Sequence, residues 1–151
     1  MQKELLTHSP EETEAFGAEV ARYITDDASA PRFIALFGDL GVGKTAFVRG
    51  LASIIAPDSA VRSPTFALVN EYKNGRSSLF HFDMYRIEDE DELYSIGFYD
   101  YLDRGVCVTE WSENIEYALP EGYLRIEISK TSPDSPDERK ISACLVRKDA
   151  K

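Results

Sequence analysis

Apolar and polar positions along this chain recur with two different periods, and the switches between them mark its elements. Leu5 and Thr7 suit a short first strand. Ser9-Pro10-Glu11-Glu12 then predicts a helix start, with Ser9 as cap, Pro10 at the first helical position and Glu12 closing a capping box. Phe16, Val20, Tyr23 and Ile24 follow at helical spacing, and the helix is expected to fade at Asp26-Asp27. Residues 33–37 are unbroken apolar sequence of strand length, the pattern of a strand covered on both faces. A Gly-rich stretch comes next. Phe47, Leu51, Ile54 and Ile55 then repeat at helical spacing until Pro57 stops them.

Beyond Pro57 the period is mostly that of strands. Ser63-Pro64-Thr65-Phe66 reads as a loop running into a strand near 67–72, Asn74-Gly75 as a hairpin turn, and 79–85 as the returning strand. The acidic run 88–92 suits a solvated helix start, where carboxylates meet the positive end of the helix dipole. Residues 105–109 form another apolar strand, ending at Glu110-Trp111. Residues 123–129 and 141–147 alternate as strands do, on either side of a loop rich in Ser, Pro and Asp. The last few residues are expected to fray.

At 151 residues, a single domain over 1–151 is expected, with its core from about 3 to 147. Lys and Arg number 17 against 27 Asp and Glu, a net charge of −10. Such a surface repels a nucleic-acid backbone, which argues against tight direct binding of RNA or DNA without help from another protein. Cys107 and Cys144 match no metal or redox spacing, and Cys107, between Val106 and Val108, reads as core. No segment approaches the ~18 apolar residues of a membrane span, and the start has no secretory pattern. A cytoplasmic protein without a membrane partner is expected.

The Gly-rich stretch is Gly38-Asp39-Leu40-Gly41-Val42-Gly43-Lys44-Thr45, the P-loop pattern. Its glycines let successive N–H groups turn inward as a nest for anionic oxygens, and the helix beginning there adds its positive dipole end. Lys44 supplies a mobile charge for β- and γ-phosphates, and the Thr45 hydroxyl suits Mg²⁺. Residues 39–46, from Asp39 to Ala46, are therefore the candidate nucleotide-binding positions. With a buried-type strand before and an amphipathic helix after, the context predicts a P-loop NTPase-like α/β fold: three layers, with a mixed, partly parallel central sheet flanked by helices.

A P-loop also needs a carboxylate on the metal, usually at the end of a neighbouring apolar strand. Glu110 fits, at the carboxyl end where ligands collect in α/β sheets. Asp83, in His81-Phe82-Asp83-Met84-Tyr85-Arg86, is the other candidate, and local pattern leaves both open. His81 reads as a packed or solvated ring. The Asn-Lys-x-Asp motif of GTP-specific proteins is absent, which favours ATP.

Four segments in this order and spacing resemble the bacterial TsaE (YjeE) family of P-loop ATPases: residues 38–45; Ser63-Pro64-Thr65-Phe66 with Val69-Asn70-Glu71-Tyr72; 81–86; and Glu110-Trp111. The resemblance runs from about Ser9 to Ile128. It implies a part in forming threonylcarbamoyladenosine at position 37 of tRNAs that read codons beginning with A. The TsaD and TsaB proteins are the implied partners, holding the tRNA and performing the transfer, so tRNA is reached only indirectly. Carried over by position, Lys44 and Thr45 bind phosphate and Mg²⁺, and Glu110 is the metal-associated acid. Thr65 lies in a switch-like loop suited to sensing the γ-phosphate, Asp83 is implicated in hydrolysis or metal binding, and Trp111 lies beside the site. Lys44, Thr65, Asp83 and Glu110 are thus the candidate catalytic residues, with Thr45 and Glu110 as metal ligands. Val42, Ala46, Ala67 and Met84 depart from the commoner family residues without removing a reactive group.

The expected mechanism is hydrolysis by positioning and charge neutralisation, slow alone because no arginine is placed by motif as an internal finger. Arg86 reads as a surface or ion-paired residue. Two other classes share these features: a small-molecule P-loop kinase, although no Arg-rich lid is evident between Glu88 and Arg104, and an ATP-gated binding module with negligible hydrolysis.

Overall fold

The computed structural model describes residues 1–38, 42–65, 67–74 and 77–147. Its elements follow the predicted order: β1 (Gln2–Thr7), α1 (Pro10–Asp26), β2 (Phe33–Phe37), α2 (Lys44–Ile55), β3 (Val69–Asn74), β4 (Ser77–Asp83), α3 (Glu90–Ser95), α4 (Phe98–Tyr101), β5 (Val106–Glu110), a 3₁₀ segment (Ser112–Ala118), β6 (Gly122–Lys130) and β7 (Arg139–Arg147). Of these, α4 and the 3₁₀ segment are additions that neither period signals. The strands form one sheet in the order β1-β7-β6-β2-β5-β4-β3. The four central strands β6, β2, β5 and β4 run parallel, while β1, β7 and β3 join antiparallel at the edges. This is the mixed, partly parallel sheet that the sequence predicts.

Parity assigns the side chains to two layers, because neighbouring residues of a strand face opposite sides. Ile34, Leu36, Val106, Val108, Leu124, Ile126 and Ile128 pack with Phe16, Val20, Phe47 and Leu51 of α1 and α2. Phe33, Ala35, Phe80, Phe82 and Cys107 pack on the other face with Leu93, Phe98 and Ile115. All five residues of β2 are buried, as expected of a strand covered on both sides. Helices α1 and α2 cross closely enough that a Cβ on Gly17 or Gly50 would run into a backbone carbonyl oxygen of the other helix. That contact pins α2, and with it the start of the helix at Lys44.

Local chemistry explains the boundaries. Ser9 Oγ accepts the Glu12 N–H, while the Glu12 carboxylate reaches the N–H of His8, one residue earlier than a capping box requires. In the acidic run, Asp89 caps α3 by accepting the Glu92 N–H, and Glu92 in turn accepts from Glu88. The strand expected near 67–72 begins at Val69, because Leu68 takes the left-handed conformation, φ 69. The strand expected at 79–85 ends at Asp83, whose carboxylate takes the Tyr85 N–H and turns the chain. β3 and β4 pair through Asn74 and Ser77; Gly75, the expected turn glycine, lies outside the described residues. Among the described residues, no helix is long and apolar enough to cross a membrane.

Candidate functional site at the carboxyl ends of the parallel strands

Because β2, β5 and β4 run parallel, the residues at their carboxyl ends gather along one edge of the sheet. β2 delivers Gly38, β5 delivers Glu110, and β4 delivers Asp83, which stands in register with Glu110. Gly38 and Gly43 both have positive φ, 132 and 105, so each occupies backbone space that favours glycine. Gly43 sits at the N-cap of α2 with no side-chain cap, which leaves the first N–H groups of the helix oriented out of its N-terminus. Asp39, Leu40 and Gly41, candidate nucleotide contacts by motif, lie outside the described residues. Val42 and Ala46 are buried, and Thr45 is half-buried in the first turn.

Lys44 is 5% exposed. Its Nζ donates to the Gly38 carbonyl at 2.7 Å and lies 4.4 Å from the centre of the Trp111 ring. Trp111 reaches it because that residue takes the left-handed conformation, φ 59, directly after β5, and its ring also packs against Tyr85, tilted by 52° with centroids 5.0 Å apart. Glu113, in the 3₁₀ segment, accepts the Gly38 N–H at 3.1 Å, and Arg139 at the start of β7 donates to the Val42 carbonyl at 3.0 Å. Ser9, Pro10, Thr13 and Arg139 border a small hollow against Val42 and Gly43, beside the start of α2.

The acids differ in their partners. Asp83 is buried and its Oδ1 accepts the Tyr85 N–H at 3.0 Å. Glu110 is also buried, and its Oε2 is 2.5 Å from Nε2 of His81, which is fully enclosed. Thr65 is not brought against either acid: its hydroxyl pairs with Ser63 Oγ at 2.8 Å within its own loop. That loop nevertheless connects to Asp83, because Leu68 donates to the Pro64 carbonyl and accepts the Asp83 N–H. Arg86 is exposed, in keeping with its reading as a surface residue.

Oxygen donors suited to a hard cation are present in Thr45, Glu110 and Asp83. Among the described residues no group of three or more His, Cys, Asp or Glu forms a metal cage. A divalent ion here would therefore need phosphate oxygens and water for much of its shell, the usual condition for Mg²⁺.

Sequence reasoning missed the roles of His81, Glu113 and Arg139. For His81 a signal existed: its spacing of two from Asp83 puts both on the same face of β4. The contact of Glu113 with Gly38 spans 75 positions and carries no local signature.

The family model described as threonylcarbamoyl adenosine biosynthesis protein TsaE matches residues 7–141. The tRNA threonylcarbamoyladenosine biosynthesis protein TsaE of Bacillus subtilis is 39% identical over 141 residues, 93% of this chain and 84% of that protein. Its namesake in Aquifex aeolicus is 40% identical over 113 residues, covering 74% of this chain and 77% of the relative. Among solved structures, Bacillus subtilis YdiB superposes with a TM-score of 0.72 at 33% identity, covering 98% of this chain and 88% of that one.

Proposed function

This chain belongs to the TsaE family of tRNA threonylcarbamoyladenosine biosynthesis proteins, and from that premise we propose that it is a Mg²⁺-dependent ATPase of the cytoplasm serving that modification. The observation that carries the proposal is the meeting of Lys44, at the start of α2, with Trp111 and the Glu110 strand end that precedes it. A phosphate-binding lysine at the start of the helix that follows one parallel strand, and a buried carboxylate at the end of the adjacent one, are the two parts that P-loop hydrolysis requires.

Lys44 exchanges its Gly38 contact for β- and γ-phosphate oxygens, and the first N–H groups of α2 hold the same anion. Thr45 and Glu110 would hold the ion, which when bound neutralises charge developing on the γ-phosphoryl group. Asp83 orients water at the adjacent strand end, and Thr65 enters when its loop is ordered against bound nucleotide. TsaD and TsaB, by the family resemblance, are the partners that carry the tRNA. An acidic protein of net charge −10 suits that division of labour, because it need not grip the tRNA itself.

The test is ATP turnover by the isolated protein and by its mixture with TsaB–TsaD, for the native chain and for Lys44→Ala and Glu110→Ala. The expected result is slow turnover alone, stimulation by the partners, and loss in both variants. Equal turnover alone and in the assembly, or unchanged turnover in either variant, overturns the proposal.

A further inference from the structure

The face of the sheet beneath α2 contains a chain of polar contacts that phosphate binding does not explain. It begins at Arg62, three residues before Thr65. The Tyr72 hydroxyl donates to the Arg62 carbonyl at 2.8 Å and accepts the Arg62 N–H at 3.0 Å. Asn70 Nδ2 donates to the same carbonyl at 3.1 Å. The Tyr72 oxygen also lies within hydrogen-bond distance of His81 Nδ1, 3.2 Å away. The opposite ring nitrogen of His81 meets Glu110 Oε2. Among the described residues, every buried side-chain nitrogen and oxygen has a partner, so this chain is complete.

Strand register produces the arrangement. Tyr72 stands opposite Leu79 and Asn70 opposite His81 on the antiparallel pair β3/β4, which makes Tyr72 and His81 diagonal neighbours on one face. His81 stands opposite Val108 on the parallel pair β4/β5, two residues before Glu110 on the same face. The ring is 0% exposed and lies between two side chains that hold both its nitrogens, so it has no freedom to turn. The Glu110 carboxylate, held at one oxygen, keeps the other for a ligand.

We propose that His81 is a positioning residue: gripped by Tyr72, which also clamps Arg62, it fixes the Glu110 carboxylate at the phosphate site and ties the Thr65 loop to it. This rests on the reading of Glu110 as the metal-associated acid. The loop and the acid then share one hydrogen-bonded support, and releasing either end loosens the other.

Tyr72→Phe is the sharpest variant, because it removes one oxygen and keeps the packed ring; His81→Asn and Glu110→Gln accompany it. Three readouts apply to the folded proteins: Mn²⁺ affinity of the ATP complex by electron paramagnetic resonance, turnover with TsaB–TsaD, and the rate of tryptic cleavage after Arg62. Tyr72→Phe and His81→Asn are each expected to weaken Mn²⁺ binding about 10-fold and lower kcat with little change in KM for ATP. Tyr72→Phe is also expected to speed cleavage at Arg62, and His81→Asn to add nothing once Glu110 is Gln. If Glu110→Gln impairs ion binding and turnover while the other two variants match the native protein, the positioning role is overturned and the ATP site stands. If Glu110→Gln itself changes neither, the metal reading fails and this inference falls with it.

Discussion

Beneath α1 and α2 the sheet face divides into two unlike halves. The buried residues it carries on β6, β2 and β7 are apolar: Ile34, Leu36, Leu124, Ile126, Ile128, Ile141 and Ala143. On β5, β4 and β3 the same layer carries Tyr72, His81, Asp83 and Glu110 among Leu79, Val106 and Val108. Apolar packing is non-directional, so the first half needs only the right volumes to hold α1 and α2 in place. The second half needs each donor matched to an acceptor, because an unpaired buried polar atom costs about 1–3 kcal/mol. The difference separates support from candidate chemistry: one half builds a platform for the start of α2, and the other carries buried carboxylates at the edge of the sheet.

The largest expected effect comes from damaging the platform. Leu124→Ala, at a fully buried position of β6, should cost about 2–5 kcal/mol in denaturant unfolding. The folded fraction should still bind nucleotide, because no reactive group is touched. Selective loss of binding at unchanged stability would break the comparison.

A second effect concerns a buried ionisable group. Cys107, on the opposite face, donates to the Tyr101 carbonyl at 3.6 Å, and burial pushes its thiol from an ordinary 9.0 up to about 12. The folded state thus holds the proton more tightly than the unfolded chain does. Its contribution to stability is complete below pH 9 and is lost as pH rises toward 12. Unfolding midpoints measured across that range should fall less steeply in Cys107→Ala, and native Cys107 should resist alkylation at neutral pH.

The smallest stability effect belongs to Asp83→Asn, which keeps the oxygen that accepts the Tyr85 N–H. Stability should move by less than about 0.5 kcal/mol. Turnover with the partners should fall at least about 10-fold, since the amide carries no charge for a metal or a water. Matching stability and turnover between Asp83→Asn and the native chain would make Asp83 a turn residue alone.

The platform was largely legible in the sequence, because its information is local. The run 33–37 and the stripe of Phe47 and Leu51 need no long-range knowledge to read as a buried strand and a packed helix. The carboxyl-end position of Glu110 followed from the same reasoning. Three features carry no such periodic signal. The contact of His81 with Tyr72 requires the β3/β4 register, and the end of β4 at Asp83 depends on a side-chain turn that periodicity does not register. The placement of Trp111 over Lys44 requires a left-handed residue that nothing near Glu110-Trp111 signals.

The central claim is that the loop and its lysine bind ATP with Mg²⁺, and calorimetric titration of ATP with and without Mg²⁺ tests it most directly. The native chain should bind ATP more tightly with the ion, and folded Lys44→Ala should lose affinity by about 10-fold or more, the loss of a charge-assisted contact. Equal affinity in the native and Lys44→Ala proteins would contradict the account at its base.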